Sequence, residues 1–185
     1  MKKGILLALV VLLMACSGNT QPRYYQLPMA ADTAQGVPAT GRHLWVSRVN
    51  VADYLAGNGV VYQTNDVEYV TAGSHLWASP LAQQLRQNLL VTLGNALPGT
   101  LVAAGQSPGD QDSLDVNVTG FHGRYDGKAI IRGEWLLTHN GEVRRYPFSL
   151  ALSQPGDGYD ALVRTLAKGW QQVGQNIARQ WAATQ

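Results

Sequence analysis

The sequence predicts an α+β domain: an antiparallel sheet that includes a three-stranded meander, with two long amphipathic helices packed on one of its faces. Three observations predict it. Leu81, Leu85, Leu89, Leu93 and Leu97 recur every four residues, a stripe that a helix gathers onto one side. A second stripe runs through Tyr159, Leu162, Val163, Leu166, Trp170, Val173, Ile177 and Trp181. Between the two, Leu114, Val116 and Val118 alternate with Asp115, Asn117 and Thr119, the period of a strand buried on one side.

The elements follow in chain order. Met1-Lys2-Lys3 is a positive end, and Gly4 to Met14 is an apolar run with a small residue, Ala15, after it. This is the arrangement of a signal peptide over residues 1–15. The run is shorter than the roughly 20 apolar residues that span a bilayer. Leu13-Met14-Ala15-Cys16 places the chain's single cysteine directly after the expected cut. That is the pattern of a bacterial lipobox, in which Cys16 becomes the N-terminus and is acylated with chains such as palmitate. Each buried methylene contributes about 0.8 kcal/mol, and stable anchoring takes two chains or more. Ser17 stands where an aspartate would signal retention in the inner membrane, so lipoprotein sorting rules point to the outer membrane. Residues 16–23 form the lipidated tether, and the stretch from Ser17 to Arg23 reaches at most roughly 25 Å.

The body, residues 24–185, begins with a short strand candidate, Tyr24-Tyr25-Gln26-Leu27. Pro28 to Gly41 lacks periodicity and reads as a loop. His43 to Val51 reads as a strand, and Val60 to Thr64 with Val67 to Thr71 as a hairpin turning at Asn65-Asp66. The first helix is expected from Pro80 to Leu97, with Ser79 as N-cap, Pro80 at the first helical position and Pro98-Gly99 as the stop. After the strand around Leu114–Thr119, Asp126-Gly127 and Asn140-Gly141 accept the positive φ angles of tight turns. They fold Ala129–Thr138 and Glu142–Leu152 back on it. Pro147 cannot donate to a ladder, which places the last strand at an edge or gives it a bulge. The second helix is expected over residues 159–183.

Composition narrows the function. Without residues 1–15 the chain keeps 170 residues, enough for one domain with its own core. It then has 12 Lys+Arg against 12 Asp+Glu, so the basic excess of a nucleic-acid footprint is missing. Charged residues are 14% of the chain, with five Trp and eight Tyr. That is low against a typical quarter or so, and it predicts a surface partly covered by a partner. With Cys16 acylated, no disulfide is available and packing alone must hold the fold.

Enzyme signatures fail on mechanism. Gly105-Gln106-Ser107-Pro108-Gly109 fits the G-x-S-x-G elbow. Pro108, however, lacks the N–H that the oxyanion hole takes from the residue after the serine. His43, His75, His122 and His139 lack the spacing of a helical metal site, although His122 and His139 flank one hairpin and could approach each other. Asp110, Asp112 and Asp115 start like a calcium loop that lacks its glycine and closing glutamate. Gly57-Asn58-Gly59 opens like a dinucleotide fingerprint, but Tyr62 replaces the third glycine. Asp126 and Glu134 are lone acids facing solvent. No cofactor, no metal and no catalytic residue are expected.

Several stretches together resemble one known family. The lipobox is followed by Tyr24-Tyr25-Gln26-Leu27, Val51-Ala52-Asp53-Tyr54-Leu55 and Trp77-Ala78-Ser79-Pro80-Leu81. Tyr54 to Thr64 and Gly123-Arg124-Tyr125-Asp126-Gly127-Lys128 are closest. The chain is similar over nearly its whole mature length to the paraquat-inducible protein C family, auxiliary lipoprotein components of ABC-type transport. The resemblance implies an outer-membrane lipoprotein facing the periplasm, in a lipid-transport system that supports membrane integrity. Its partners would be a periplasm-spanning, PqiB-like MCE-domain protein and an inner-membrane protein. MCE proteins form rings, and a ring-like homo-oligomer of this subunit would match them. Tyr54, Leu55 and Trp77 are the candidate partner contacts; Trp77 reads more readily as a residue packing back on the core before the helix. A tethered periplasmic lipid-binding carrier is the alternative, and an envelope enzyme with an unrecognised site is a third reading.

Overall fold

The computed structural model describes residues 21–33, 43–106 and 109–184. Residues 1–15, expected as a signal peptide, Cys16, and Ser107 with Pro108 of the G-x-S-x-G stretch lie outside the described residues. Among those described, the order is β1 (Arg23–Tyr25), β2 (His43–Val51), a 3-10 turn (Asp53–Leu55), β3 (Gly59–Gln63), β4 (Tyr69–Trp77), α1 (Leu81–Ala96), β5 (Val102–Ala103), β6 (Gln111–Arg124), β7 (Lys128–His139), β8 (Glu142–Ser153) and α2 (Tyr159–Ala182).

Among the described residues the class is α+β, with one eight-stranded sheet and two helices. The sheet is mixed rather than antiparallel throughout. β6 pairs antiparallel with β7, and β7 with β8. On its other edge β6 pairs in parallel with β2 and, further along, with β3. β1 is parallel to β4, and β5 to β2. Parallel neighbours need a long return path; between β2 and β6 that path contains β3, β4, α1 and β5.

Bulges set which side chains face the helices. Along β6, Asp112, Leu114, Val116 and Val118 are buried; a register shift between Val118 and Gly120 then hands the inward positions to Phe121 and Gly123. Gly120 and His122 consequently turn to the other face. In β2 the ladder shifts between Val46 and Arg48. There Arg86 of α1 donates to the Val46 and Ser47 carbonyls at 2.8 and 3.2 Å.

Both helices cover one face. α1 begins at Leu81 with Pro80 in the cap position and no side-chain cap, so Ser79 does not act as the expected N-cap. Its backbone carbonyl instead accepts from Gln84 Nε2 at 2.8 Å. The leucine stripe of α1 is buried against Trp170, whose indole N–H donates to the Leu85 carbonyl at 2.9 Å. Trp170 meets Phe121 and Phe148 edge-on, each at 6.3 Å between ring centres. Gly169 lets α2 seat on β7: a Cβ there would stand 2.4 Å from Ile131 Cδ1. No helix among the described residues is long and apolar enough to cross a membrane.

The segment after β1 is irregular, as a loop should be, but it is held. Leu27 N–H donates to Gln84 Oε1 at 2.8 Å, and Asn88 Nδ2 donates to the Pro28 carbonyl at 3.1 Å. Asn95 Nδ2 donates to the Ala31 carbonyl at 2.8 Å, and the Thr33 N–H returns a bond to Asn95 Oδ1 at 3.0 Å. These three amides of α1 fasten residues 27–33 along the helix as a strap.

Candidate docking face

The sheet face opposite the helices carries an aromatic cluster. Tyr54 leads it from the 3-10 turn, which forms because the Leu55 N–H reaches back to the Ala52 carbonyl at 2.8 Å. Consecutive residues of so tight a turn point to different sides. Tyr54 goes outward, 39% exposed, and Leu55 goes into the core, 1% exposed. Trp77 is also core, 5% exposed, against Phe121 at 6.3 Å. Leu55 is the inward half of a tight turn, and Trp77 ends β4 with its ring packed against Phe121. Tyr54 alone of the three offers surface.

Tyr54 is held rigidly. Its hydroxyl donates to the Thr119 carbonyl at 2.9 Å. Its ring lies 5.0 Å from Tyr69, and Tyr69 stands edge-on to His122 at 5.1 Å. His122 is buried and donates through Nδ1 to the Gly123 carbonyl at 3.0 Å, which leaves the lone pair of the neutral ring on Nε2. Gly120 makes the room: a Cβ there would stand 3.2 Å from Arg132 Cβ and 3.6 Å from His122 Nε2. Burial lowers the His122 pKa, opposed by the Gly123 hydrogen bond and reinforced by the Arg132 and Arg124 charges. Burial also pushes the Tyr54 hydroxyl up to about 12, with Tyr69 adding and Arg132 subtracting. Both groups are neutral near pH 7. The cluster is a fixed, uncharged aromatic surface bordered by Arg132, suited to contact.

The other sequence candidates are structural or separated. His122 and His139 do not meet; Asp112, the partner of His139, stands ten residues before His122 on β6, roughly 33 Å of strand. Asp112 is fully buried, and its carboxylate accepts from Trp181 Nε1 at 2.8 Å and faces His139 Nδ1 at 3.1 Å. Asp115 pairs with Arg48 at 2.6 Å, and Glu134 with Arg145 at 2.5 Å. Among the described residues no group of three His, Cys, Asp or Glu could hold a metal. Tyr69 and Arg132 are the residues that sequence reasoning missed. The available signal was Gly120-Phe121-His122-Gly123, where two small residues flank a large polar ring just as the alternation of Leu114–Val118 breaks.

Among the described residues, one layer of two helices covers a mixed eight-stranded sheet and leaves an aromatic face open. The chain belongs to the family of ABC-type transport auxiliary lipoprotein components, which matches residues 25–178. It is 50% identical over 182 residues to "Intermembrane transport lipoprotein PqiC" of Escherichia coli (strain K12), covering 97% of each chain. A protein of the same name from Shigella flexneri matches to the same extent. Among solved structures, an uncharacterized protein matches at 54% identity with a TM-score of 0.78, over 86% of this chain and 98% of that one. A Xanthomonas campestris protein at 17% identity shares the fold, with a TM-score of 0.69 over 88% of this chain and all of its own.

Proposed function

We propose that this chain is a non-catalytic docking subunit of an MCE-type intermembrane lipid transport system. Acylated Cys16 holds it in the outer membrane, and the body faces the periplasm, supporting envelope integrity. The observation that carries this reading is the 50% identity, over 97% of the chain, to proteins named as intermembrane transport lipoproteins. The periplasm-spanning MCE-domain protein docks on the open face around Tyr54 and Tyr69, and an inner-membrane protein completes the system. Rigid, neutral aromatic groups lose little entropy on contact and suit such a surface. β8 pairs only with β7 among the described residues, so its outer edge is available for a ring-like assembly of copies.

The test is gentle detergent extraction of the full-length lipoprotein, with assembly mass and co-purifying proteins determined together. The expected result is a large assembly containing an MCE-domain protein, which Tyr54→Glu releases while circular dichroism stays unchanged. A lone monomer with stoichiometric lipid in native mass spectrometry would overturn docking in favour of a tethered carrier.

A further inference from the structure

Three connections emerge at one end of the sheet. Gln63 of β3 pairs with Arg124 of β6, so the turns at residues 64–68 and 125–127 leave side by side. The loop after β8 joins them, since Ser153 pairs with Lys128 and Gln154 N–H donates to the Gly127 carbonyl at 3.1 Å. Loop tips are ordinarily polar. Here one tip presents Val67, 82% exposed, and its neighbour Tyr125, 55% exposed.

Both tips are stiff, and their polar groups are already engaged. Asn65 Oδ1 accepts from the Val67 and Glu68 N–H groups at 3.0 and 2.9 Å. The Glu68 carboxylate accepts from Thr64 Oγ1 and Asn65 Nδ2 at 2.6 and 3.0 Å. Beside Tyr125, Arg124 grips Asp126 through two nitrogens at 2.8 and 2.7 Å, and Lys128 adds a third contact at 3.5 Å. Arg124 holds the Asp126 carboxyl down at about 2. Beside Tyr125 the charges of Arg124, Asp126 and Lys128 offset one another, which lowers the cost of bringing that tip into a membrane interface. Tyrosine in particular favours that interface, with its ring in the apolar layer and its hydroxyl in the wet one.

The N-terminus points the same way. β1 is parallel to β4, with Arg23 beside His75 and Tyr25 beside Trp77. Upstream of Arg23 the strand direction therefore runs toward Tyr69 and the hairpin tip. From His75 to Tyr69 is six residues, about 20 Å of strand. Cys16 precedes Arg23 by seven residues, a reach of roughly 25 Å. A tether of that length leaving along the strand ends level with Val67 and Tyr125.

We infer that the tips carrying Val67 and Tyr125 dip into the bilayer surface that holds Cys16, giving the body a second, non-covalent membrane contact. The inference rests on the reading of Cys16 as the lipid anchor. Asp66, Glu68, Asp126 and Asp157 stand at this end with only Arg124 and Lys128, so acids outnumber bases and the surface fits zwitterionic lipid better than anionic.

Because Cys16 is the chain's only cysteine, its acylation leaves an introduced thiol unique. Full-length lipoprotein carrying Val67→Cys, Tyr125→Cys or Val143→Cys is labelled with a polarity-sensitive fluorophore and reconstituted into phosphatidylcholine vesicles. Val143 is 62% exposed at the opposite end of the sheet, one residue from the Glu142–His139 pair, and serves as the control. The expected result is blue-shifted emission and quenching by nitroxide-bearing lipid at positions 67 and 125 but not at 143. Flotation with the vesicles, an acylated Cys16 peptide by mass, and equal quenching at all three positions would overturn the inference and leave the anchor standing. An unmodified Cys16 with no flotation would overturn the anchor and this contact together.

Discussion

Trp181 Nε1 donates to Asp112 Oδ2 at 2.8 Å, so the last turn of α2 is fastened to the first residues of β6 across 69 positions of sequence. Trp181→Phe removes the donor and takes one hydrogen bond away from a fully buried carboxylate. A hydrogen bond to a charged group is worth about 1.5–3 kcal/mol. The expected outcome is a fall of that size in stability, read from the urea midpoint with an unchanged m value. A change within a few tenths of a kcal/mol would show that the bond does not hold the helix.

The second prediction concerns acid sensitivity. Burial, with Arg132 and Arg124 nearby, lowers the His122 pKa from its ordinary 6.5, and the rings of Tyr54 and Tyr69 close the site. As pH falls below about 6.5, the unfolded chain takes up a proton that the folded chain refuses. Stability from this group is complete above that pH and is lost as pH drops toward the folded value. His122→Gln should flatten this part of the pH profile. Denaturant midpoints at about pH 7.5 and 5.5, compared between the two proteins, check it; parallel profiles would assign the proton uptake elsewhere.

A third prediction tests the strap. Gln84 accepts from the Leu27 N–H and donates to the Ser79 and Tyr25 carbonyls. Gln84→Ala removes all three bonds without touching the leucine stripe. Local opening should become about 1–2 kcal/mol easier, so the Leu27 amide should exchange roughly tenfold faster. Hydrogen exchange by mass spectrometry reads this directly. Equal acceleration throughout α1 would mean that Gln84 stabilises the helix itself, not the strap.

Much of the fold was legible because period is a local property. β2 occupies residues 43–51 as its alternation implied, and α2 begins at Tyr159 where its stripe begins. Parallel pairing was not legible, since whether β2 joins β6 depends on how the intervening β3, β4, α1 and β5 pack. β4 extends to Trp77, beyond what its sequence suggested, because Ala72-Gly73-Ser74 interrupts the apolar alternation while the backbone ladder to β3 continues to Leu76. Gln84 and Asn88 escaped notice for a related reason. They are buried polar residues beside the leucine stripe, and an apolar pattern says nothing about a backbone they will capture. At the candidate face, Tyr54 was readable as an aromatic near a loop. The partners Tyr69 and His122 were not, because a single bulge at Gly120 decides which way His122 points.

The strap also has a mechanical meaning. A load applied to the N-terminus pulls β1 along the axis of β4, so its ladder bonds are strained together and share the force rather than opening one at a time. Behind β1, the amides of Gln84, Asn88 and Asn95 grip the following chain at intervals along α1. Tension is thus spread along a helix whose leucine stripe is anchored in the core. The point where the chain is tugged is among the best-braced parts of the molecule, and tension on the N-terminus turns or shifts the body as one piece before it unravels.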